Sequence, residues 1–157
     1  MGCLIHKWDG CKCLKCEKVQ DKNHYWENGI CEKCGKQAEY VCLDFLSSEE
    51  IEFFKNSIND YMEKISNNPN YTVDAVLQKK YLARLDESAK ITPFKMIKED
   101  FKSAYLPFCT YIEYGWFETT TNSSDLEYMK AHAMAMELER RKGTAIIAKL
   151  SKLYDSI

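Results

Sequence analysis

The chain has 157 residues, of which 45% are hydrophobic and 13% aromatic, and it carries a formal net charge of −2 at pH 7. This length accommodates one helical domain and a small additional module, and the hydrophobic content excludes a disordered chain. The net charge gives no support to general nucleic-acid binding, which depends on neutralising phosphates. Because no run of eighteen apolar residues occurs, a membrane-spanning helix is not expected.

Cysteine and histidine are concentrated at the start of the chain. Residues 1–42 hold seven of the eight cysteines and two of the three histidines. His6-Lys7-Trp8, followed by Cys13-x2-Cys16, recurs eighteen residues later as His24-Tyr25-Trp26, followed by Cys31-x2-Cys34. A Cys-x2-Cys pair can turn both sulfurs toward one point, and a tetrahedral Zn²⁺ needs two such pairs of Cys or His ligands. The pattern therefore predicts a zinc-binding module over residues 1–42, with one unit present twice and two Zn²⁺ ions.

The candidate metal ligands are Cys3, His6, Cys11, Cys13, Cys16, His24, Cys31, Cys34 and Cys42. Two assignments are open. In the sequential one, Cys3, His6, Cys13 and Cys16 bind one zinc, and His24, Cys31 and Cys34 bind the other with Cys11, Cys42 or Asp21. In the cross-braced one, Cys13, Cys16, Cys31 and Cys34 share a zinc, and Cys3, His6, Cys11 and His24 share the second. A disulfide framework is disfavoured because the cysteines are closely spaced, histidines recur with them, and no signal-peptide stretch is found.

Residues 3–8, 10–16 and 24–36 resemble short bacterial and prophage zinc-ribbon repeats of unknown function, in which His-x-Trp alternates with Cys-x2-Cys-Gly-Lys. The resemblance covers residues 1–40 and implies metal binding only. The first unit departs from the pattern at Glu17, where the second unit has Gly35, a residue that readily takes a positive φ. We expect Trp8 and Trp26 to cover the metal sites by packing rather than to stack on bases.

After Cys42 the pattern becomes helical, and it predicts a mainly α fold: a zinc ribbon or knuckle module over residues 1–42, then a four- to five-helix domain over residues 43–157. Ser47-Ser48-Glu49-Glu50 is typical of a capping box that begins a helix ending near Asn67. A second helix is expected over residues 72–90. A third is expected to begin at Thr92-Pro93 and to end near Pro107.

The last third of the chain is predicted to be helical as well. Residues 108–121 are rich in aromatic and β-branched residues, which is typical of a hairpin, but a helix to about Trp116 is favoured. A final helix over residues 125–156, capped by Ser124 and bent only if Gly143 bends it, is expected to bury Leu126, Met129, Ala133, Met136, Ile147, Leu150 and Tyr154. Its later turns are basic, which indicates either a solvated face or a docking face for an anionic partner.

No nucleophile elbow, phosphate loop, nucleotide fingerprint or His-Glu-x2-His motif occurs, so enzyme activity is not expected. Reduced cysteines and zinc motifs indicate the cytoplasm. The predicted function is that of a small zinc-binding protein–protein interaction module. Its candidate contact surface is the aromatic run Tyr111, Tyr114, Trp116 and Phe117, for which burial in the core is the alternative.

The partner of this module is not specified by the sequence. The resemblance to prophage repeats suggests, by association, a phage-encoded regulator or inhibitor of a host system. The alternative function is a zinc-ribbon nucleic-acid-binding regulator. It would use the two tryptophans with Lys7, Lys12 and Lys15, or else the basic stretch over residues 140–152.

Overall fold

The computed structural model describes residues 3–67, 83–85, 94–115 and 124–157. In these ranges there are three long helices, α1 (Ser48–Ser66), α2 (Lys98–Glu113) and α3 (Leu126–Tyr154). The strands are β1 (Trp8–Asp9), β2 (Lys12–Cys13), β3 (Trp26–Glu27), β4 (Ile30–Cys31), β5 (Tyr40–Cys42) and β6 (Lys95–Ile97). They form three antiparallel two-stranded sheets, β1–β2, β3–β4 and β5–β6.

The sequence repeat is also a repeat of backbone structure. We call residues 3–20 the first unit and residues 21–38 the second unit; each contains one hairpin, with Trp8 opposite Cys13 in the first and Trp26 opposite Cys31 in the second. The hydrogen bond from the Cys13 amide to the Lys18 carbonyl (2.9 Å) recurs from Cys31 to Lys36 (2.9 Å). Three further backbone bonds recur with the same offset of eighteen residues.

The two hairpins differ at their tips. Asn28 and Gly29 both have positive φ, as a type I′ turn requires, whereas in the first unit Gly10 has a positive φ and Cys11 does not, which is the pattern of type II′. Cys11 stands where the second unit has Gly29. The II′ geometry therefore allows the first hairpin to carry a sulfur at its tip.

The prediction of a mainly α fold is wrong, because three small sheets accompany the helices. Strands of two or three residues are too short to give an alternating apolar pattern, so the sequence did not indicate them. In the β5–β6 sheet, Tyr40 pairs with Ile97 and Cys42 pairs with Lys95. This sheet joins the end of the predicted zinc module to the predicted helical part of the chain.

The capping box of α1 is confirmed: Glu50 N donates to Ser47 Oγ (3.2 Å), and Ser47 N donates to Glu50 Oε2 (2.9 Å). α2 begins later than predicted, at Lys98, because residues 95–97 belong to β6. It does not end near Pro107, as predicted, but continues through this residue to Glu113; the helix expected after residue 108 is therefore confirmed as far as Glu113, as part of α2. Of the helix expected over residues 72–90, only residues 83–85 are described, and they are helical.

α3 is continuous through Gly143, and its N-cap is Asp125 rather than Ser124: the Asp125 carboxylate accepts from the amides of Glu127 and Tyr128 (2.9 and 3.2 Å). Gly143 is buried, and a Cβ there would overlap the Ile112 side chain, so this glycine permits α2 and α3 to approach closely. The expected burial fails in the first half of the helix: Leu126 is 62% exposed, Met129 is 44% exposed, and Ala133 is also exposed.

The core lies between α1, α2 and the second half of α3. Its fully buried side chains include Phe54, Ile58, Phe101, Phe108, Ile146 and Leu150. The buried Asp100 carboxylate is paired with Arg84, which forms two hydrogen bonds with it, both at 2.9 Å. No helix in the described ranges is long and apolar enough to cross a membrane.

Candidate metal centres

The first centre is built from one end of the first unit. Cys3, His6, Cys13 and Cys16 each direct one ligand atom to a common point, and these atoms lie within 4.8 Å of one another. The Cys3 sulfur lies 3.2 Å from the Cys16 sulfur and 3.1 Å from His6 Nδ1. Cys13 is buried, and the other three ligands are partly exposed.

The second centre takes three ligands from the second unit and one from the first. His24, Cys31 and Cys34 converge with Cys11, again with all four ligand atoms within 4.8 Å. The Cys11 and Cys31 sulfurs are 3.5 Å apart, and Cys34 Sγ is 3.5 Å from His24 Nδ1. Cys11, His24 and Cys31 are all buried, so this centre is more enclosed than the first.

The ligand separations fit a tetrahedral metal ion. Ligands about 2.0–2.3 Å from a tetrahedral Zn²⁺ lie about 3.3–3.8 Å from one another. The sulfur–sulfur separations of 3.2, 3.5 and 3.7 Å lie close to that range, and they are much longer than a disulfide bond. Each cluster of three cysteines and one histidine could therefore hold a metal ion.

The electrostatics of both clusters favour a cation at the centre. Burial opposes ionisation of Cys13, but the Lys15 amide and His6 outweigh it and lower the pKa of Cys13 to about 5. The neighbouring thiol is affected in the opposite direction, since hydrogen bonding to Cys16, together with burial, raises the pKa of Cys3 to about 11. Without a metal ion, ionisation of one thiol opposes ionisation of its neighbour. A bound dication allows all three thiols to ionise, because its charge stabilises all three thiolates at once.

The second centre likewise contains one thiol with a raised pKa and one with a lowered pKa. Burial and the Cys31 sulfur raise the pKa of Cys11 to about 12. Against the effect of burial, His24 and the amides of Cys34 and Lys33 lower the pKa of Cys31 to about 6. Backbone amides within each Cys-x2-Cys turn thus stabilise the thiolate of its first cysteine in both units.

Both histidines present Nδ1 to their centre, and among the described residues a carboxylate lies beside the other nitrogen of His24 but not of His6. Asp21 Oδ1 lies 3.4 Å from His24 Nε2 and also accepts from Lys36 Nζ (2.5 Å). Lys36 and His24 hold the pKa of Asp21 below its usual value. A carboxylate in this position orients a metal-binding histidine and raises its basicity. Asp21, one of the open choices for the fourth ligand, thus lies behind His24 and outside the metal cluster.

The repeat explains why the second centre needs a ligand from outside its own unit. Moving eighteen residues from Cys3 leads to Asp21, so the second unit has no cysteine at the position equivalent to Cys3. Cys11, at the tip of the first hairpin, supplies the missing sulfur. The structure thus brings together the ligand sets of the sequential assignment. A comparison of Cys11 with its equivalent, Gly29, could have indicated this ligand from sequence alone.

Two side-chain contacts hold the first hairpin tip beside the second unit. Lys33 Nζ donates to Asp9 Oδ2 at 2.6 Å. The Tyr25 ring lies against Gly10, where a Cβ would overlap it. These contacts position the tip of the first hairpin so that Cys11 reaches the second centre.

The second unit is docked on the start of α2. Trp26 Nε1 donates to Glu99 Oε2 at 2.9 Å, and His24 N donates to Glu99 Oε1 at 3.3 Å. Ile97 packs with Trp26, Cys11 and Cys31 in one buried cluster. The sequence did not indicate Glu99 as a neighbour of the metal centre.

The first unit has no equivalent cover among the described residues. Trp8 is 37% exposed, whereas Trp26 is 9% exposed. The first unit also exposes the aliphatic side chains of Leu4, Ile5, Leu14 and Val19. Lys7, Lys15 and Lys18 are also exposed and form no ion pair within the described ranges.

Other predicted site residues lie away from both centres. Cys42 lies in β5, paired with Lys95, and belongs to neither cluster. Tyr111 of the aromatic run is buried and donates to Asp60, while Tyr114 is 73% exposed and residues 116–117 lie outside the described ranges. Much of the basic stretch of α3 has intramolecular partners: Arg141 pairs with Glu137, Lys149 with Glu50, and Lys142 lies over the Phe53 ring.

Comparison with known proteins gives no further assignment. No protein-family model, no curated protein and no solved structure matches the chain.

Proposed function

We propose that the chain binds two Zn²⁺ ions in closed structural sites and acts as a protein–protein interaction module. The observation that carries the proposal is the contrast between two equivalent units, one docked on the helices and the other exposed. Zn²⁺ suits the ligand sets, since three thiolates and one imidazole in a tetrahedron are typical of structural zinc sites. Such thiols stay reduced in the cytoplasm, where we place the protein.

A structural role for the metal is supported by the number of ligands. A catalytic zinc keeps one position open for water or substrate, whereas each cluster here offers four protein ligands. Small segments with few apolar residues depend on the metal for folding. We therefore propose that zinc fixes the shape of both units rather than performing chemistry.

The interaction role is supported by the surface of the first unit. Leu4 and Leu14 are 103% and 61% exposed, in the same unit as Trp8, which is 37% exposed. Several exposed apolar side chains within one small, metal-rigidified unit favour a binding surface. The more specific role of phage-encoded regulator or inhibitor of a host system stays a prediction from the resemblance of residues 1–40.

Two measurements test this proposal. Native mass spectrometry of the purified chain should show two Zn²⁺ per chain, and retention of fewer than two would contradict the metal assignment. Cross-linking capture should then compare the wild type with Leu14→Asp, which alters the first unit, and with Leu138→Asp, a control at an exposed position of α3. A captured protein that is lost only with Leu14→Asp supports the module; equal capture by all three proteins contradicts it.

Nucleic-acid binding is the second candidate, favoured by the lysines around Trp8. Lys7, Lys15 and Lys18 could contact phosphates while a base stacks on the indole. This function predicts an affinity that falls steeply with salt concentration. The paired side chains of the α3 basic stretch, such as Lys149 with Glu50, are less available for that purpose.

A further inference from the structure

The docked second unit shows what its exposed equivalent is shaped to bind. Glu99 is held by two donors at once, the Trp26 indole (2.9 Å) and the His24 amide (3.3 Å). Ile97, two residues earlier, adds an aliphatic contact with Trp26. An aliphatic residue and a carboxylate at the start of a helix therefore form the ligand of this unit.

The first unit presents the same donors in the same arrangement. The His6 and Trp8 rings lie 5.0 Å apart with an interplanar angle of 28°, and the His24 and Trp26 rings lie 4.7 Å apart at 31°. The backbone bonds that fix the hairpins recur in both units. Neither the Trp8 indole nor the His6 amide donates a hydrogen bond to a residue in the described ranges.

The exposed side chains of the first unit favour an acidic and partly apolar ligand. Lys7, Lys15 and Lys18 are exposed without acidic partners in the described part of the chain. Leu14 and Val19 are 61% and 48% exposed and supply apolar surface. Cations around an apolar centre complement a segment that carries carboxylates beside an aliphatic side chain.

We propose that the first unit binds an acidic segment of a partner protein, whose carboxylate accepts from Trp8 Nε1 and from the His6 amide. An aliphatic residue of the same segment packs beside Trp8, as Ile97 packs beside Trp26. This inference rests on the proposed interaction function and names the chemistry of the partner. In a second copy of the chain, Ile97 and Glu99 are not available as this segment, because that Glu99 is bound to its own second unit. The aliphatic side chains favour a protein over a nucleic acid.

The chain's own docking segment provides a probe. We would synthesise a peptide of residues 94–106 with Lys95→Gln, Lys98→Gln and Lys102→Gln, which leaves Glu99 and Asp100 as its charged residues. The matched control peptide carries Glu99→Gln in addition. Zinc-loaded full-length protein with ¹⁵N-labelled tryptophan is titrated with each peptide, and the indole N–H resonances are followed by NMR. The Trp8 resonance should move saturably with the first peptide, while the Trp26 resonance stays in place.

Loss of one charge-assisted hydrogen bond should weaken binding about tenfold, both for the Glu99→Gln peptide and for the protein variant Trp8→Phe, which keeps an aromatic ring but lacks the N–H. Because Trp8→Phe has no Trp8 indole signal, the affinities of all protein variants are compared by isothermal titration calorimetry. The matched protein control is Tyr128→Phe, at an exposed position on α3, which should bind the first peptide like the wild type.

Equal binding of both peptides, or no movement of Trp8, would overturn the inference and leave the zinc sites and the interaction role intact. Movement of Trp8 with a ten-nucleotide oligothymidine and not with the peptide would also overturn it, in favour of nucleic acid. Protein that retains fewer than two zinc ions would instead contradict the proposed function itself.

Discussion

The first and second units share one backbone design but differ in what surrounds them. Trp8 and Trp26 stack on their histidines in nearly the same way, yet one indole is 37% exposed and the other 9%. The difference comes from outside the repeat, where Ile97 and Glu99 cover only the second unit. A repeated metal unit can thus serve in one copy as part of the core and in the other as surface.

The two metal centres also differ in which units supply their ligands. All four ligands of the first centre lie within residues 3–16, whereas the second centre combines residues from both units. A metal ion in the second centre therefore links the two units and also rigidifies the surface on which α2 begins. We expect changes at the second centre to affect the whole fold, and changes at the first to stay local.

The largest expected effect is that of Cys11→Ser, which removes a ligand from the second centre. The variant should retain one zinc instead of two, and the free energy of unfolding should fall by about 3–5 kcal/mol because a structural metal is lost. Native mass spectrometry and urea unfolding followed by circular dichroism measure the two quantities.

Matched serine variants sharpen this result. Cys3→Ser should also lose one zinc but should lower the free energy of unfolding of the helices by much less. The Cys42→Ser variant, whose changed residue lies outside both clusters, should retain two zinc ions. If Cys42→Ser loses a zinc and Cys11→Ser does not, the fourth ligand is assigned wrongly.

Replacing each tryptophan by alanine should lower the free energy of unfolding by different amounts in the two units. Trp26→Ala empties a buried position and should cost about 3 kcal/mol. Trp8→Ala removes a half-exposed ring and should cost about 1 kcal/mol or less. Chemical denaturation of both variants measures the difference, and similar losses for the two would contradict the docked and exposed roles.

The contact between Glu99 and the second unit can be tested separately. Glu99→Gln leaves one oxygen for two donors, so it should lower the free energy of unfolding by about 1.5 kcal/mol. The Trp26 indole N–H resonance should shift as well. Glu113→Gln, at an exposed position near the end of α2, serves as the control and should change neither.

The smallest expected difference concerns the rate of metal release. Three ligands of the first centre are partly exposed, while three of the second are buried. A chelator should therefore remove zinc from the first centre about tenfold faster, a difference of about 1.4 kcal/mol in activation free energy. A colorimetric chelator assay of the wild type should give two phases, and Cys3→Ser should lack the faster one.

Features that depend on neighbouring residues were predictable from the sequence. The capping box of Ser47 and Glu50 lies within one helical turn, and the Cys-x2-Cys turns with His-x-Trp lie within short hairpins. The two clusters formed from these motifs include eight of the nine candidate ligands. Such features need no knowledge of the tertiary fold, because the residues that form them are close along the chain.

Features that depend on distant residues were not predictable. Glu99 reaches Trp26 across 73 residues, and β5 pairs with β6 through strands of three residues that carry no alternating pattern. Comparison with Gly29 distinguishes Cys11 in the sequence, but its place in the second centre depends on the approach of the two units, so it was only one of several choices for the fourth ligand. The apolar spacing of Leu126 and Met129 predicted burial, but periodicity does not show whether a partner surface is present.

The placement of Cys11 sets an order for assembly during synthesis. Residues 3–16 leave the ribosome before the second unit and carry a complete set of four ligands, so the first centre can close while the second unit is still being made. Its closed hairpin then holds Cys11 ready for His24, Cys31 and Cys34 as they emerge. Ile97 and Glu99 arrive last and cover the finished second centre. We therefore expect metal loading to follow the direction of translation along this chain.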